Sequence, residues 1–212
     1  AAAEQGSTEG VDFKRAVKSP AFIALIAAMC LIVMTTVTNQ LFPMYGTSVG
    51  FAPHVGSLMV SVAMLCDIAW NPLIGWTCDK FGPARAVVMW ASVTVLSFVC
   101  LLFSSASPVL ACIGAGLNDS MGIATLTMAM FGHKDYGKIY SLVPAIGYVL
   151  GSMGAPLLTS LYEQTGSFQS VWIFCIVCDV AIAIFAVVAM RSSKKLAWSR
   201  GNSPAIEEPV FE

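Results

Sequence analysis

Charged residues are scarce in this sequence. Only 11% of its 212 residues are Asp, Glu, Lys or Arg, whereas 57% are hydrophobic. A soluble domain needs a more charged surface, and a net charge of −1 gives no reason to expect a nucleic-acid partner. The apolar segments fill the chain, whereas a secretory signal peptide would be one short stretch near its start. The sequence therefore predicts an all-α membrane protein surrounded by membrane lipid. Because the chain begins at Ala1 without Met, we expect a fragment or a processed chain.

Histidine is also scarce, and neither copy lies in the middle of an apolar segment. His54 stands at the edge of one segment, and His133 lies in a turn. An intramembrane serine protease needs a Ser and a His that meet inside the membrane. We therefore expect no enzymatic activity of this kind.

The seven cysteines lie mostly inside apolar segments, where Cys behaves as a small hydrophobic residue. Cys175 and Cys178 have the C-x-x-C spacing, but neither a second pair nor a His lies nearby. The sequence therefore predicts no cofactor and no metal site.

Six apolar segments are long enough to cross a bilayer, since about 20 helical residues span a hydrocarbon core of about 30 Å. Pro43 to Pro53 reads as a turn-forming connection because it is rich in Gly, Ser and Pro. Residues 1–20 are predicted to be a loop-like linker, 21–190 a six-helix transmembrane bundle, and 191–212 a polar tail. The predicted crossings are 21–42, 54–76, 86–103, 108–131, 139–162 and 170–190.

The basic residues predict the orientation, because Lys and Arg collect in the cytoplasmic loops of membrane proteins. All of them precede the first predicted crossing or follow the second, the fourth or the sixth. Both termini are therefore predicted to be cytoplasmic, in a plasma or inner membrane. The residues are Lys14, Arg15, Lys18, Lys80, Arg85, Lys134, Lys138, Arg191, Lys194, Lys195 and Arg200.

Acidic residues inside apolar segments are candidates for function, since an ionisable group in a bilayer is costly unless it faces protein or water. Asp119 lies near the middle of the fourth crossing beside Asn118, and Asp67 lies toward the cytoplasmic end of the second crossing. Desolvation disfavours the charged form of a carboxyl group, as a proton-carrying group requires. The alternative is that these acids only join helices by hydrogen bonds, and we favour that alternative for Asp179.

The first crossing carries polar residues toward its outer side. Thr35 and Asn39 are four residues apart and share one helix face, so they could line a water-filled path. Alternatively, Thr35 bonds to its own helix backbone.

Three glycines in the fifth crossing, Gly147, Gly151 and Gly154, have a small-residue spacing that favours close helix packing. The same contact could also be a place where a helix bends or slides.

A short charged turn follows the second crossing, with the pattern Gly75-x-x-x-Asp79-Lys80-x-Gly82 and Arg85 three residues further on. The glycines allow tight turning. Asp79 lies on the same side as the start of the fifth helix, near residues 136–139, and the N–H groups at a helix start attract an anion. We therefore predict a reversible latch, with a solvated charged loop as the alternative.

This turn resembles the signature loop of the major facilitator superfamily of transporters. The stretches FGHKDYGKIYS at 131–141 and GYVLGSMGAPLLTSLYEQTGSFQSVWIF at 147–174 are similar to the monocarboxylate-transporter-like and oxalate/formate-antiporter-like branch. The resemblance covers nearly the whole chain. It implies the carboxy-terminal six-helix half of a transporter, built from two inverted three-helix repeats, with the missing amino-terminal half as its partner.

The resemblance also implies roles for individual residues. Asp67 and Pro72 match an Asp and a Pro of the branch's eighth helix, and Asn71 stands where that branch has an Arg. It implies that Asp67 takes part in proton coupling and that Asp119 can reach the central cavity, together with Thr35 and Asn39 of the first helix.

The leading functional hypothesis is half of a secondary active transporter. It would move a small organic solute, such as a monocarboxylate or another organic anion, by alternating access with proton coupling or exchange. Such rocking needs two halves around a site near the bilayer midplane. The alternative is a membrane solute receptor or assembly partner that does not transport.

Overall fold

A computed structural model of the protein describes residues 11–118, 127, 130–132 and 135–193. Nearly all of these residues are helical, and none of them forms a β-strand. The predicted all-α membrane fold is therefore confirmed. The described helices are α1 Phe13–Val17, α2 Pro20–Thr36, α3 Thr38–Ser48, α4 Pro53–Phe81, α5 Pro83–Leu102, α6 Pro108–Leu117, α7 Tyr136–Gly151, α8 Gly154–Thr165 and α9 Phe168–Ser193, with a 3₁₀ turn at Ser104–Ala106.

Proline, serine and glycine set the helix ends. Pro20 occupies the start of α2, where its missing N–H is not needed. The preceding Ser19 caps the helix by accepting a hydrogen bond from the N–H of Phe22 at 3.2 Å. Gly82 has φ 82° between α4 and α5, and Gly166 has φ 65° after α8, a backbone conformation that favours glycine.

Five parts of the described chain are long and apolar enough to cross a membrane. The first combines α2 with α3, and the fourth combines α7 with α8. Large apolar side chains remain exposed along them, as expected of surfaces that face lipid; Ile68 and Val149 are each 72% exposed. The spans are Pro20–Ser48, Pro53–Phe81, Arg85–Leu102, Tyr136–Thr165 and Phe168–Ser193.

The first span is longer than predicted, because the helix does not end at Pro43. This residue lies inside α3, which continues to Ser48, so part of the predicted connection is helical. Proline is tolerated inside membrane helices when neighbouring groups compensate for the lost hydrogen bond. Gly56 of α4 leaves room for it, since a Cβ there would lie 2.5 Å from Cα of Pro43.

The segment before the first crossing is not simply loop-like, because it contains α1. Val11 and Ala16 are buried in the core, whereas Lys14 and Arg15 are exposed. The N–H of Val11 donates to the carbonyl oxygen of Phe131 at 2.9 Å. These contacts hold α1 against the connection between the fourth and fifth crossings.

The core has two main parts along the bundle. One joins α2, α7 and the second half of α9 near the end that carries Lys14, Arg15, Lys80, Arg85, Lys138 and Arg191, which we call the basic end. The other joins α3, α5, α6 and the first half of α9 toward the opposite end. Trp172 is central there, with its ring centroid 5.3 Å from that of Tyr45 and 6.1 Å from that of Phe98. Consequently α9 packs against both α2 and α5.

The three glycines of the fifth crossing lie against the first crossing. A Cβ at Gly151 would lie 2.6 Å from Cβ of Val33, and one at Gly154 would lie 2.6 Å from Cγ of Met34. A Cβ at Gly147 would collide with Met29. Only glycine allows the two helices to lie this close together.

Candidate functional site

The fourth crossing is interrupted at Asn118. We predicted one continuous helix over 108–131, but α6 ends at Leu117, and Asn118 has an extended backbone with φ −77° and ψ 90°. Its N–H donates to the carbonyl oxygen of Ala115 at 3.2 Å. At about 1.5 Å per residue, the ten residues of α6 cover about 15 Å, half of a bilayer core. The break therefore lies about half a bilayer core from the start of α6.

Two neighbouring helices satisfy the carbonyl groups at this helix end. The hydroxyl of Ser97 in α5 donates to the carbonyl oxygen of Gly114 at 2.7 Å, and the indole N–H of Trp70 in α4 donates to that of Gly116 at 2.8 Å. Non-helical backbone occurs inside a membrane only where its polar groups find such partners. Sequence reasoning missed both residues, although the small residues at 114 and 116 are a signal of close approach.

Asn118 joins the fourth crossing to the first. Its amide nitrogen donates to Oγ1 of Thr38 and to Oδ1 of Asn39, each at 3.2 Å. We call Thr38, Asn39 and Asn118 the amide cluster. The structure thus brings together Asn39 and Asn118, which the sequence indicated separately, and adds Thr38. Within the described chain, the amide nitrogen of Asn39 and the carbonyl oxygen of Asn118 have no hydrogen-bond partner.

Thr35 lies apart from these hydrogen bonds. It is buried, and its hydroxyl donates to the carbonyl oxygen of Ile32 in its own helix at 3.0 Å. Its carbonyl oxygen accepts a hydrogen bond from the hydroxyl of Thr38 at 2.7 Å, so Thr35 holds one member of the amide cluster in place. Thr35 therefore bonds to its own helix backbone, which was the second of the two roles that the sequence left open.

Asp67 is half-buried and is the central residue of α4, about 21 Å from either helix end at about 1.5 Å per residue. It thus lies at the centre of its helix and not toward the cytoplasmic end, because α4 continues to Phe81. Its neighbour Cys66 faces the helix break, since a Cβ at Gly116 would lie 3.0 Å from the Cys66 sulfur. The carboxyl group of Asp67 makes no hydrogen bond or ion pair with any described residue.

Asn71 is exposed, and its side-chain amide donates to the backbone carbonyl oxygen of Asp67 at 2.8 Å. This bond lies next to Pro72, which interrupts the backbone hydrogen bonding of α4. Asn71 therefore supports the helix at Asp67. Asp119 lies outside the described residues.

The charged turn after the second crossing is mostly helical, which corrects our prediction of a loop. Because α4 ends only at Phe81, Asp79 and Lys80 occupy its last turn, and Gly82 alone makes the turn into α5. The ammonium group of Lys80 lies 4.6 Å from the ring centroid of Trp76. Arg85 is exposed in the first turn of α5.

Among the described residues, Asp79 does not meet the start of the fifth helix, and the latch stays a prediction. Asp79 forms no hydrogen bond or ion pair in the described ranges, and a Cβ at Gly75 would meet no atom within 4 Å. At the start of α7, Asp135 accepts a hydrogen bond from the N–H of Phe13 at 3.1 Å and pairs with Lys138 at 3.0 Å. This end of the fifth crossing is therefore tied to α1.

The described residues contain no cluster of three or more His, Cys, Asp or Glu side chains that could hold a metal ion. A family model described as the Major Facilitator Superfamily matches residues 24–212. No curated protein matches the chain.

Proposed function

Because the chain belongs to the major facilitator superfamily of membrane transporters, we propose that it is half of a secondary active transporter for a small organic solute. The observation that carries this proposal is the break in the fourth crossing, where the amide cluster lies about half a bilayer core from the start of α6. Asp67 lies at the centre of the neighbouring helix α4. Interrupted helices at the bilayer midplane form the solute sites of many secondary transporters. Solute would bind there and be exposed to each side in turn.

The side chains at the break favour a solute that carries hydrogen-bonding groups. The amide nitrogen of Asn39 offers a donor and the carbonyl oxygen of Asn118 an acceptor. The described parts of the spans carry their Lys and Arg residues only near the basic end. A monocarboxylate or other organic anion would therefore need a proton as its counter-charge, and Asp67, a half-buried carboxyl group next to Cys66, is our candidate to carry it. Proton-coupled transport, or exchange of one anion for another, would keep the charge balanced.

Transport by alternating access requires a second six-helix half. We propose that this chain pairs with such a half. The basic end would lie in the cytoplasm of a plasma or inner membrane, because Lys and Arg concentrate on that side.

Uptake into proteoliposomes tests the proposal, using the full-length protein in which this chain is joined to its other half. Labelled monocarboxylates should accumulate faster with an inward proton gradient than without one. Asp67→Asn should abolish the effect of the gradient, because the amide cannot carry a proton between the two sides. Glu163→Gln, at an exposed carboxyl group beyond the membrane core, should leave it unchanged.

Absence of uptake for any organic solute, with or without the gradient, would contradict the assignment as a carrier. Gradient-driven uptake that survives Asp67→Asn would remove Asp67 from the coupling scheme while leaving transport itself intact.

A further inference from the structure

Asp179 is a buried carboxyl group away from the amide cluster and Asp67. It lies in α9, where this helix packs against α2 and α5, and only 4% of its surface is exposed. One of its carboxyl oxygens, Oδ2, is buried without a hydrogen-bond partner in the described chain. An unpaired polar atom in such a place is costly, so its chemical state needs an explanation.

The polar group that meets Asp179 from α5 is the hydroxyl of Thr94, which is itself buried. This hydroxyl donates its single hydrogen to the carbonyl oxygen of Ala91 at 3.0 Å. Only the lone pairs of the Thr94 oxygen then remain for Asp179. A carboxylate has no hydrogen to donate, so an ionised Asp179 could bond to Thr94 only if this hydroxyl gave up its bond to Ala91. A protonated Asp179 would complete the bond.

The neighbouring helices provide no positive charge for an ionised carboxylate. Arg85 precedes Thr94 by nine positions, which is about 14 Å along α5, and Arg85 is exposed. Within α9, Arg191 is about 18 Å from Asp179 by the same rise. The described helices that pack against α9, and α9 itself, carry six other titratable groups. Four are the thiols of Cys30, Cys100, Cys175 and Cys178, and the other two, Tyr162 and Glu163, lie at the far end of α8.

We propose that Asp179 is a proton-binding site, at which the carboxylic acid O–H donates to Oγ1 of Thr94 across the contact between α5 and α9. A buried carboxylate without a cation would cost several kcal/mol, whereas the protonated form leaves no charge and uses the acceptor that Thr94 presents. Asp179 thus holds a proton at neutral pH and joins the third crossing to the sixth. Ionisation would break this bond and weaken the contact. The inference does not depend on the solute or on coupling at Asp67.

Infrared difference spectroscopy of the purified protein in lipid tests this state directly, because a protonated carboxyl group has a C=O stretching band that a carboxylate lacks. At neutral pH, Asp179→Asn should remove one such band. Thr94→Val should keep the band but move it to higher frequency, because the O–H loses its acceptor. Asp79→Asn, at an exposed carboxyl group in the last turn of α4, should remove no such band.

The spectra can also overturn the proposal. Loss of a carboxylate band at neutral pH in Asp179→Asn would show that the group is ionised. A band that Thr94→Val does not move would exclude the hydrogen bond between the helices. Should Asp179→Asn fail to fold, the comparison of wild type with Thr94→Val still decides, because a protonated Asp179 requires a band that shifts in that variant.

Discussion

Replacement of Gly151 by Ala tests the contact between the first and fifth crossings. The new Cβ would lie 2.6 Å from Cβ of Val33 and 2.9 Å from the carbonyl oxygen of Cys30. Because non-bonded carbon atoms prefer about 3.5–4.0 Å, α7 would have to move away from α2 by about 1 Å. Such overpacking costs about 1–3 kcal/mol, and the gain in helix propensity from Gly to Ala returns at most about 1 kcal/mol. We expect the free energy of unfolding to fall by about 1–2 kcal/mol.

Gly75→Ala is the matched control, since Gly75 is also helical but has no neighbour within 4 Å of its Cβ position. Here only the propensity gain remains, so the free energy of unfolding should rise by about 0.5–1 kcal/mol. Both variants can be compared with wild type by unfolding in mixed micelles, followed by tryptophan fluorescence. Changes of the same sign in both variants would refute the close approach at Gly151.

Three other variants test the helix break and the contact at α1. Trp70→Phe leaves a carbonyl oxygen unpaired inside the membrane, so unfolding in the same micelles should become easier by about 1–3 kcal/mol. Asn118→Ala removes both hydrogen bonds to the first crossing, and solute uptake by proteoliposomes should fall at least about tenfold if the amide cluster binds solute, since about 1.4 kcal/mol corresponds to a factor of ten. Asp135→Ala removes the acceptor of the first N–H of α1, so amide hydrogen exchange in α1 should accelerate, with a loss of about 0.5–2 kcal/mol of local stability.

Each of these variants has a control in the same chain. Trp76 is half exposed, so Trp76→Phe should change the unfolding free energy by less than about 0.5 kcal/mol. Asn71→Ala removes an amide that bonds only to its own helix, so uptake should fall less than in Asn118→Ala. Asp79→Ala should leave exchange in α1 unchanged. Equal effects in a variant and its control would contradict the contact concerned.

The sequence was sufficient to predict the helices and their order. Long apolar runs separated by Gly, Pro and charged residues predict membrane helices, and the described spans follow that order. The predicted ends of the helices were less accurate than their order. Pro43 and the run to Phe81 read as connections from their composition, yet both are helical. Contacts with other helices, such as the space that Gly56 leaves for Pro43, decide these ends, and no local pattern encodes them.

The candidate site was predicted in its residue types but not in its geometry. Asn39 and Asn118 were recognisable as polar groups in apolar segments, and the structure joins them by a hydrogen bond. The break at Asn118 was not predictable, because Ser97 and Trp70 stabilise it from two other helices. Each of these looks like an ordinary residue in its own segment, and only the tertiary fold gives it a role.

The short helix α1 carries a mechanical implication. It continues almost directly into α2, and it is fastened to Phe131 and Asp135 on either side of the turn that leads into α7. The first and fifth crossings are thereby held together at the basic end as well as along their glycine contact, so we expect them to move as one unit. A spin label on α1 should therefore keep a constant distance to one on α7 in every state of the protein.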